Sequence, residues 1–280
     1  MRIPRYQVDA FTGQPFAGNP AAVCPLNRWL DDQILSKVAA ENNLPATAFF
    51  VPQPSVPQPG HQIDQQFDQY DIRWFTPQSE IKLCGHATLA SAYVVLKLLH
   101  PELKVICFQT RLSGELTVVR EGEVGQGELF SMNFPAIIPR PCLSIPDRLL
   151  RALGPLPSEV LEANETYIAV YGSESAVRNC HPDFAKLRDL HPYAVAITAP
   201  GDKADFVSRY FAPSYGVPED PVTGSVHCAL TPYWTNRLGK THLHAQQLSN
   251  RGGELWCELS GDRVTIKGAA VLTLEGSLEF

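Results

Sequence analysis

The chain has no Cys-x-x-Cys pair, no basic block longer than two residues and no apolar run long enough to span a bilayer. The seven cysteines stand singly, which argues against both a disulfide framework and a thiolate metal knot and favours reduced thiols in a cytoplasmic setting. A formal net charge of −6 without a basic cluster gives no electrostatic footprint for nucleic acid. The longest apolar stretch, residues 89–99, is broken by Ser91 and Lys97, so no membrane association is expected. The first residues run straight into a strand pattern with no leader-like apolar segment. What is present is a globular composition, 44 % hydrophobic and only 19 % charged, enough to build a sizeable core in 280 residues.

Strand patterns fall at residues 6–11, 21–24, 47–51 and 71–75, with a helix after Asp31 or Asp32 whose apolar positions Ile34, Leu35, Val38 and Ala39 keep a 3-4 spacing. Residues 52–70, rich in Pro and Gln, read as a long surface loop. Residues 85–99 are apolar on nearly every face, the pattern of a helix buried all round. Strands are then expected at 104–109, 114–120, 129–134, 166–171, 193–198 and 206–213. A helix is expected at 146–153, a second central helix from Gly224, and two strands in 263–280 separated by Gly268.

One segment occurs twice, about 140 residues apart. Phe75-Thr76-Pro77 leads to Cys84-Gly85-His86-Ala87-Thr88-Leu89-Ala90, and Phe211-Ala212-Pro213 leads to Thr223-Gly224-Ser225-Val226-His227-Cys228-Ala229-Leu230. That spacing is too long for a solenoid and suggests two similar halves whose Gly turns meet at a shared cleft. A glycine opening a helix leaves backbone N–H groups for a carboxylate or a developing oxyanion. His86 can add a proton or a hydrogen bond, although a core histidine beside a buried helix reads equally well. The second copy carries Glu219 and Asp220 ahead of its turn. Asn19, between Gly18 and Pro20, is either a site residue or a plain turn former. His242 and His244 share a strand face but lack further spaced metal ligands. Cys84 with His86 or His227 as base is a further arrangement, without a recognisable third member.

Taken together, Asp9-Ala10-Phe11-Thr12, Gly18-Asn19-Pro20-Ala21-Ala22-Val23, Arg73-Trp74-Phe75-Thr76-Pro77, Cys84-Gly85-His86-Ala87-Thr88-Leu89-Ala90, Tyr210-Phe211-Ala212-Pro213, Glu219-Asp220-Pro221-Val222-Thr223-Gly224-Ser225 and Arg251-Gly252-Gly253-Glu254-Leu255 resemble the phenazine-biosynthesis isomerase (PhzF-like) family. The resemblance runs from residue 6 to the end. It implies an α/β fold of the diaminopimelate epimerase type, two pseudo-symmetric halves each a mixed sheet rolled into a barrel round a central helix. The halves would be 1–122 plus 267–280, and 123–266. It also implies a homodimer without cofactor or metal, moving a proton on a small carboxylated substrate in the inter-domain cleft.

Carried over residue by residue, the resemblance gives His86, Asp220 and Ser225 as supporting groups and Gly85 and Gly224 as oxyanion turns. Thr223 and Asn19 join the substrate-binding set. The family's proton-shuttling Glu belongs to a Glu-x-Asn-Leu-x-Glu-Thr-Ala-Phe segment, which here reads Glu41-Asn42-Asn43-Leu44-Pro45-Ala46-Thr47-Ala48-Phe49. The shuttle position is Ala46, and a methyl group carries no proton. A two-thiol mechanism is also incomplete, because Cys84 precedes the first Gly turn but Thr223 precedes the second. The expectation is an isomerase scaffold impaired in Glu-type proton transfer. The alternatives are a non-catalytic small-molecule or protein-binding member of the same fold, and a thiol enzyme acting through Cys84. Specificity is expected in segments without motifs, residues 52–70 and 172–182.

Overall fold

The computed structural model describes residues 1–53, 68–122 and 128–280, which form two compact units, residues 1–133 with 267–280, and residues 134–266. In the first unit the chain runs through β1 (Arg2–Ala10), β2 (Asn19–Pro25), α1 (Asp32–Asn42), β3 (Ala46–Pro52), β4 (Asp68–Phe75), β5 (Glu80–Ile81) and α2 (Gly85–Tyr93). A π-helical continuation, Val94–Leu99, leads to β6 (Val105–Thr110), β7 (Glu115–Glu121) and β8 (Leu129–Pro135). In the second unit follow β9 (Arg140–Pro141), α3 (Asp147–Leu153), β10 (Glu159–Ala163), β11 (Thr166–Val170), α4 (Glu174–Arg178), α5 (Phe184–Arg188), β12 (Ala194–Pro200) and β13 (Phe206–Ala212). A 3-10 turn, Pro213–Tyr215, precedes β14 (Val217–Asp220), α6 (Gly224–Leu238), β15 (His242–Gln247), β16 (Gly253–Ser260) and β17 (Arg263–Gly268). The last strand, β18 (Ala270–Glu279), returns to the first unit.

The repeat seen in the sequence is written into the strand ladders. In the first unit β1–β2 is antiparallel, β2–β3 parallel, β3–β4 antiparallel, β4–β6 parallel and β6–β7 antiparallel. In the second, β10–β11 is antiparallel, β11–β12 parallel, β12–β13 antiparallel, β13–β15 parallel and β15–β16 antiparallel. The short strands β5 and β14 pair with the ends of β4 and β13 in the same way. Each unit thus repeats one succession of strands, with α2 and α6 in corresponding places.

The all-round apolar pattern of residues 85–99 has the outcome expected of it. Every α2 residue from His86 to Ala92 is buried, and the helix packs on β18, β1, β2 and β3 while its continuation packs on β6. In α6, Trp234 stacks on Phe206 of β13 with ring centroids 5.7 Å apart and donates its indole N–H to Thr198 of β12 at 3.0 Å. The mixed sheet of each unit wraps its helix, yet among the described residues no ladder joins β18 to β8 or β9 to β16. The barrel read from the sequence is therefore a curled sheet not closed by hydrogen bonds.

Smaller departures have local causes. Asp31 stands at the N-cap of α1 but makes no side-chain cap bond, and the carboxylate of Asp32 is drawn instead to Arg73. Asn43 takes the left-handed φ of 48° that ends α1, its N–H reaching Ala39 O at 3.2 Å, a conformation asparagine tolerates. The surface loop expected over 52–70 is strand at Pro52 and from Asp68 onward, and its interior lies outside the described residues. The segment 172–182, without a motif in the sequence, contains the short helix α4. Among the described residues no helix is long and apolar enough to cross a membrane.

Candidate functional site

In the first unit the site is built where β2, β3 and α2 begin. Gly85 is the first residue of α2, and Cys84 caps it in extended conformation (φ −142°, ψ 101°) without bonding its side chain to the helix amides. His86 lies in the first turn, buried, with Nδ1 3.3 Å from Asn19 Nδ2 and 3.5 Å from Cys84 Sγ. An amide nitrogen can only donate, so Nδ1 accepts and the neutral ring carries its proton on Nε2. The thiol is then the donor in its own contact with Nδ1. Burial pushes the His86 pKa down to about 3, which keeps this neutral form. Ala46 opens β3, fully buried, in register beside Ala21 of β2 and two residues along from Asn19 on the same sheet face. Sequence reasoning singled out Asn19, Ala46, Cys84, Gly85 and His86, and the fold brings them to one end of one sheet.

The second unit holds a matching turn. Gly224 opens α6, capped by Thr223 in extended conformation (φ −113°, ψ 95°), again with no side-chain cap bond. Thr223 Oγ1 donates to Asp220 Oδ2 at 2.5 Å. Thr223 N–H donates to Gln247 Oε1 at 2.8 Å, while Gln247 Nε2 donates to the Asp220 carbonyl at 2.8 Å and contacts Thr223 Oγ1 at 3.3 Å. Gln247 is wholly buried and clamps the turn that presents Asp220. Ser225 is exposed in the first turn. His227 is buried one turn on, its Nδ1 donating to the Thr223 carbonyl at 2.8 Å. Burial outweighs that bond and holds the His227 pKa at about 4, so this ring also stays neutral.

Both turns are braced by an arginine fork that the sequence reading did not single out. Arg73 of β4 grips Glu80 of β5 through Nε and Nη2, each at 2.8 Å, with its guanidinium 5.1 Å from the Phe75 ring. Arg209 of β13 grips Glu219 of β14 at 2.7 and 3.0 Å, with its guanidinium 5.0 Å from the Phe211 ring. The signal was an arginine two residues before the aromatic strand end in both copies. It was missed because the glutamates follow at unequal distances, seven residues in one copy and ten in the other. Arg209 also donates to the carbonyls of Val177 and Cys180 at 3.2 and 2.6 Å, which ties the segment 172–182 to the same strand.

The remaining candidates lie elsewhere in the fold. His242 and His244 on β15 face Glu258 at 3.4 Å and Glu254 at 3.9 Å. No cluster of three metal-ligating groups occurs among the described residues. All seven cysteines are free thiols, and burial pushes Cys24, Cys228 and Cys257 up to about 12. The chemistry available at the two turns is therefore anion binding at two helix N-termini, with a neutral histidine–thiol pair near one and a carboxylate near the other.

The chain is 49 % identical over 280 residues to an uncharacterized isomerase of Pseudomonas aeruginosa, the match covering all of both chains. The crystal structure of a PhzF-family phenazine biosynthesis protein from Enterococcus faecalis superposes with a TM-score of 0.89 at 40 % identity, over the whole of both chains. A hydroxyproline epimerase from Agrobacterium vitis shares the fold alone, with a TM-score of 0.62 at 10 % identity, covering 99 % of this chain and 92 % of that one. Residues 8–276 match the family described as phenazine biosynthesis-like protein, to which this chain belongs.

Proposed function

We propose that the chain carries a cofactor-independent proton-transfer site for a small carboxylated substrate, drawing on the Gly-opened turns at residues 84–88 and 220–225, with its proton shuttle missing at Ala46. The observation that supports this reading most is the paired construction of the two turns. Each opens a buried helix with glycine, leaves the first amides without a side-chain cap and sits next to an arginine-forked strand. Gly85, Gly224 and Ser225 would hold the carboxylate or the developing enolate, while His86 and Asp220 orient the substrate and assist the proton. The reading includes a cytoplasmic homodimer, to be checked by light scattering on the purified chain.

Removal of a general acid–base group costs ~10²–10⁴-fold in rate. The chain and its Ala46→Glu variant, incubated side by side in D₂O with amino acids and unsaturated or cyclic carboxylates, are expected to differ by that factor in deuterium uptake. Equal rates would remove position 46 from the mechanism. One observation favours a second reading. The Cys84 thiol donates to His86 Nδ1, which supplies a one-base pair without position 46. Uptake by the unaltered chain that disappears in Cys84→Ser would select it, and binding without uptake in either form would select a non-catalytic binder.

A further inference from the structure

Buried polar groups in native proteins almost always find a partner, so one without a partner calls for an explanation. The indole Nε1–H of Trp74 is such a group: the residue is 1 % exposed, and its Nε1 has no partner among the described residues. Its place in the sheet indicates what is missing. Trp74 pairs with Ala48 across the β3–β4 ladder, and side chains of alternate residues share a face, so Trp74, Ala48 and Ala46 point the same way. That is the inner face, where Phe50 and Tyr70 meet Phe108 at centroid distances of 6.1 Å each. Residues diagonal across a ladder lie within reach of aromatic and long side chains. Across the β3–β4 ladder the residues beside Trp74 thus carry two methyls, with Ile81 of β5 paired on its other side, and one of the methyls stands at the position at which the resembling family carries a carboxylate.

We infer that Trp74 and the Ala46 position form a carboxylate subsite, in which the indole N–H donates to an oxygen that a ligand brings where the chain itself has none. The inference takes from the proposed function only the identity of the group absent at 46. The donor and its placement come from the sheet. The chemical class is a small carboxylate, or one carboxylate arm of a larger ligand. Asn19 and His86 stand at the same end of the same sheet, so an anion there would adjoin the neutral imidazole rather than a second negative charge. Trp74 is then a positioning donor for whichever carboxylate occupies the subsite.

Sodium formate is the probe, and the ¹H–¹⁵N indole resonances are the readout. The chain has four tryptophans. Trp74→Phe identifies the Trp74 signal, and Trp234, already committed to Thr198, serves as an internal reference. Formate is expected to shift the Trp74 resonance saturably while Trp234 stays still. Ala46→Glu should shift it with no formate present, in a pH-dependent manner, and weaken the formate response at least about tenfold, the loss expected when a charge-assisted hydrogen bond is pre-empted. Ala46→Leu, which fills the place without charge and avoids burying a carboxylate, should abolish the response. A Trp74 signal that formate leaves unmoved, that chloride moves equally at the same ionic strength, or that answers formate unchanged in Ala46→Glu or Ala46→Leu would overturn the inference. None of these readings needs turnover. Failure of deuterium uptake would therefore strike the proposed function and leave the subsite standing.

Discussion

At the scale of single residues, the site departs from ordinary side-chain chemistry through burial. His86 and His227 are both held neutral, and the sign of the resulting pH dependence follows directly. Between about pH 6.5, where an unfolded histidine titrates, and about 4, the unfolded chain binds a proton at 227 that the folded chain refuses. Stability is therefore fully present above that window and is lost as the pH falls through it, by up to about 1.4 kcal/mol per pH unit for each such histidine. Urea midpoints measured across the window should fall less steeply for His227→Phe than for the parent, and parallel slopes would show that His227 does not carry the effect. Gln247 makes a second residue-scale case. Gln247→Leu keeps much of the volume but removes the bonds to the Thr223 N–H and the Asp220 carbonyl, which at about 1–3 kcal/mol each should destabilise the chain by about 2–6 kcal/mol in urea unfolding. Gln247 was not legible in advance, because its strand reads His-Leu-His-Ala-Gln-Gln and an inward glutamine looks like a surface residue. Trp74 was equally hidden. Its identity was plain in the sequence, but the lack of a partner for its N–H is a property of the packed sheet alone.

At the scale of elements, the two central helices were the most legible part of the molecule. A helix apolar on every face has few stable places other than inside a sheet, and α2 occupies such a place. The Gly-opened turns followed from the repeat. The strands β10, β14 and β16 were not found, and of β15 only the face shared by His242 and His244 was read, since their inward residues are interleaved with Glu, Gln and His and show little hydrophobic contrast. The arginine forks join elements and not neighbours in sequence, so pattern reading passes over them. They also offer a contrast in energetics. Arg209 and Glu219 are 11 % and 20 % exposed, whereas Asp32, the second partner of Arg73, is 70 % exposed. Glu219→Gln, which removes the charge from a mostly buried pair, should cost about 3 kcal/mol. Asp32→Asn should cost clearly less, because a solvent-exposed partner adds little. Equal losses in chemical denaturation would show that the forks do not brace the turns in the manner described.

At the scale of the whole molecule, the two ends of the chain meet. β1 and β18 pair antiparallel from Arg2↔Glu279 to Ala10↔Ala270, and Phe280 N–H donates to the Met1 carbonyl at 2.8 Å. A circular permutant joining residue 280 to residue 1 through a short linker, with new termini between the exposed Leu156 and its neighbour Pro157, should keep a cooperative thermal transition. A chain truncated after Lys267 should lose it for the first unit, because the edge of β1 and the buried Val8 would be uncovered. Retention of full cooperativity by the truncated chain would contradict the pairing. The same closure sets an order of events on the ribosome. Residues 134–266 separate the last strand of the first unit from the rest of it, so the sheet around α2 stays incomplete until the whole of that stretch has been translated. At ~5–20 residues per second that interval is roughly 7–30 s. A nascent chain stalled before β18 should therefore show the second unit resistant to protease while the first is still cut, which makes the half encoded first the half that matures last.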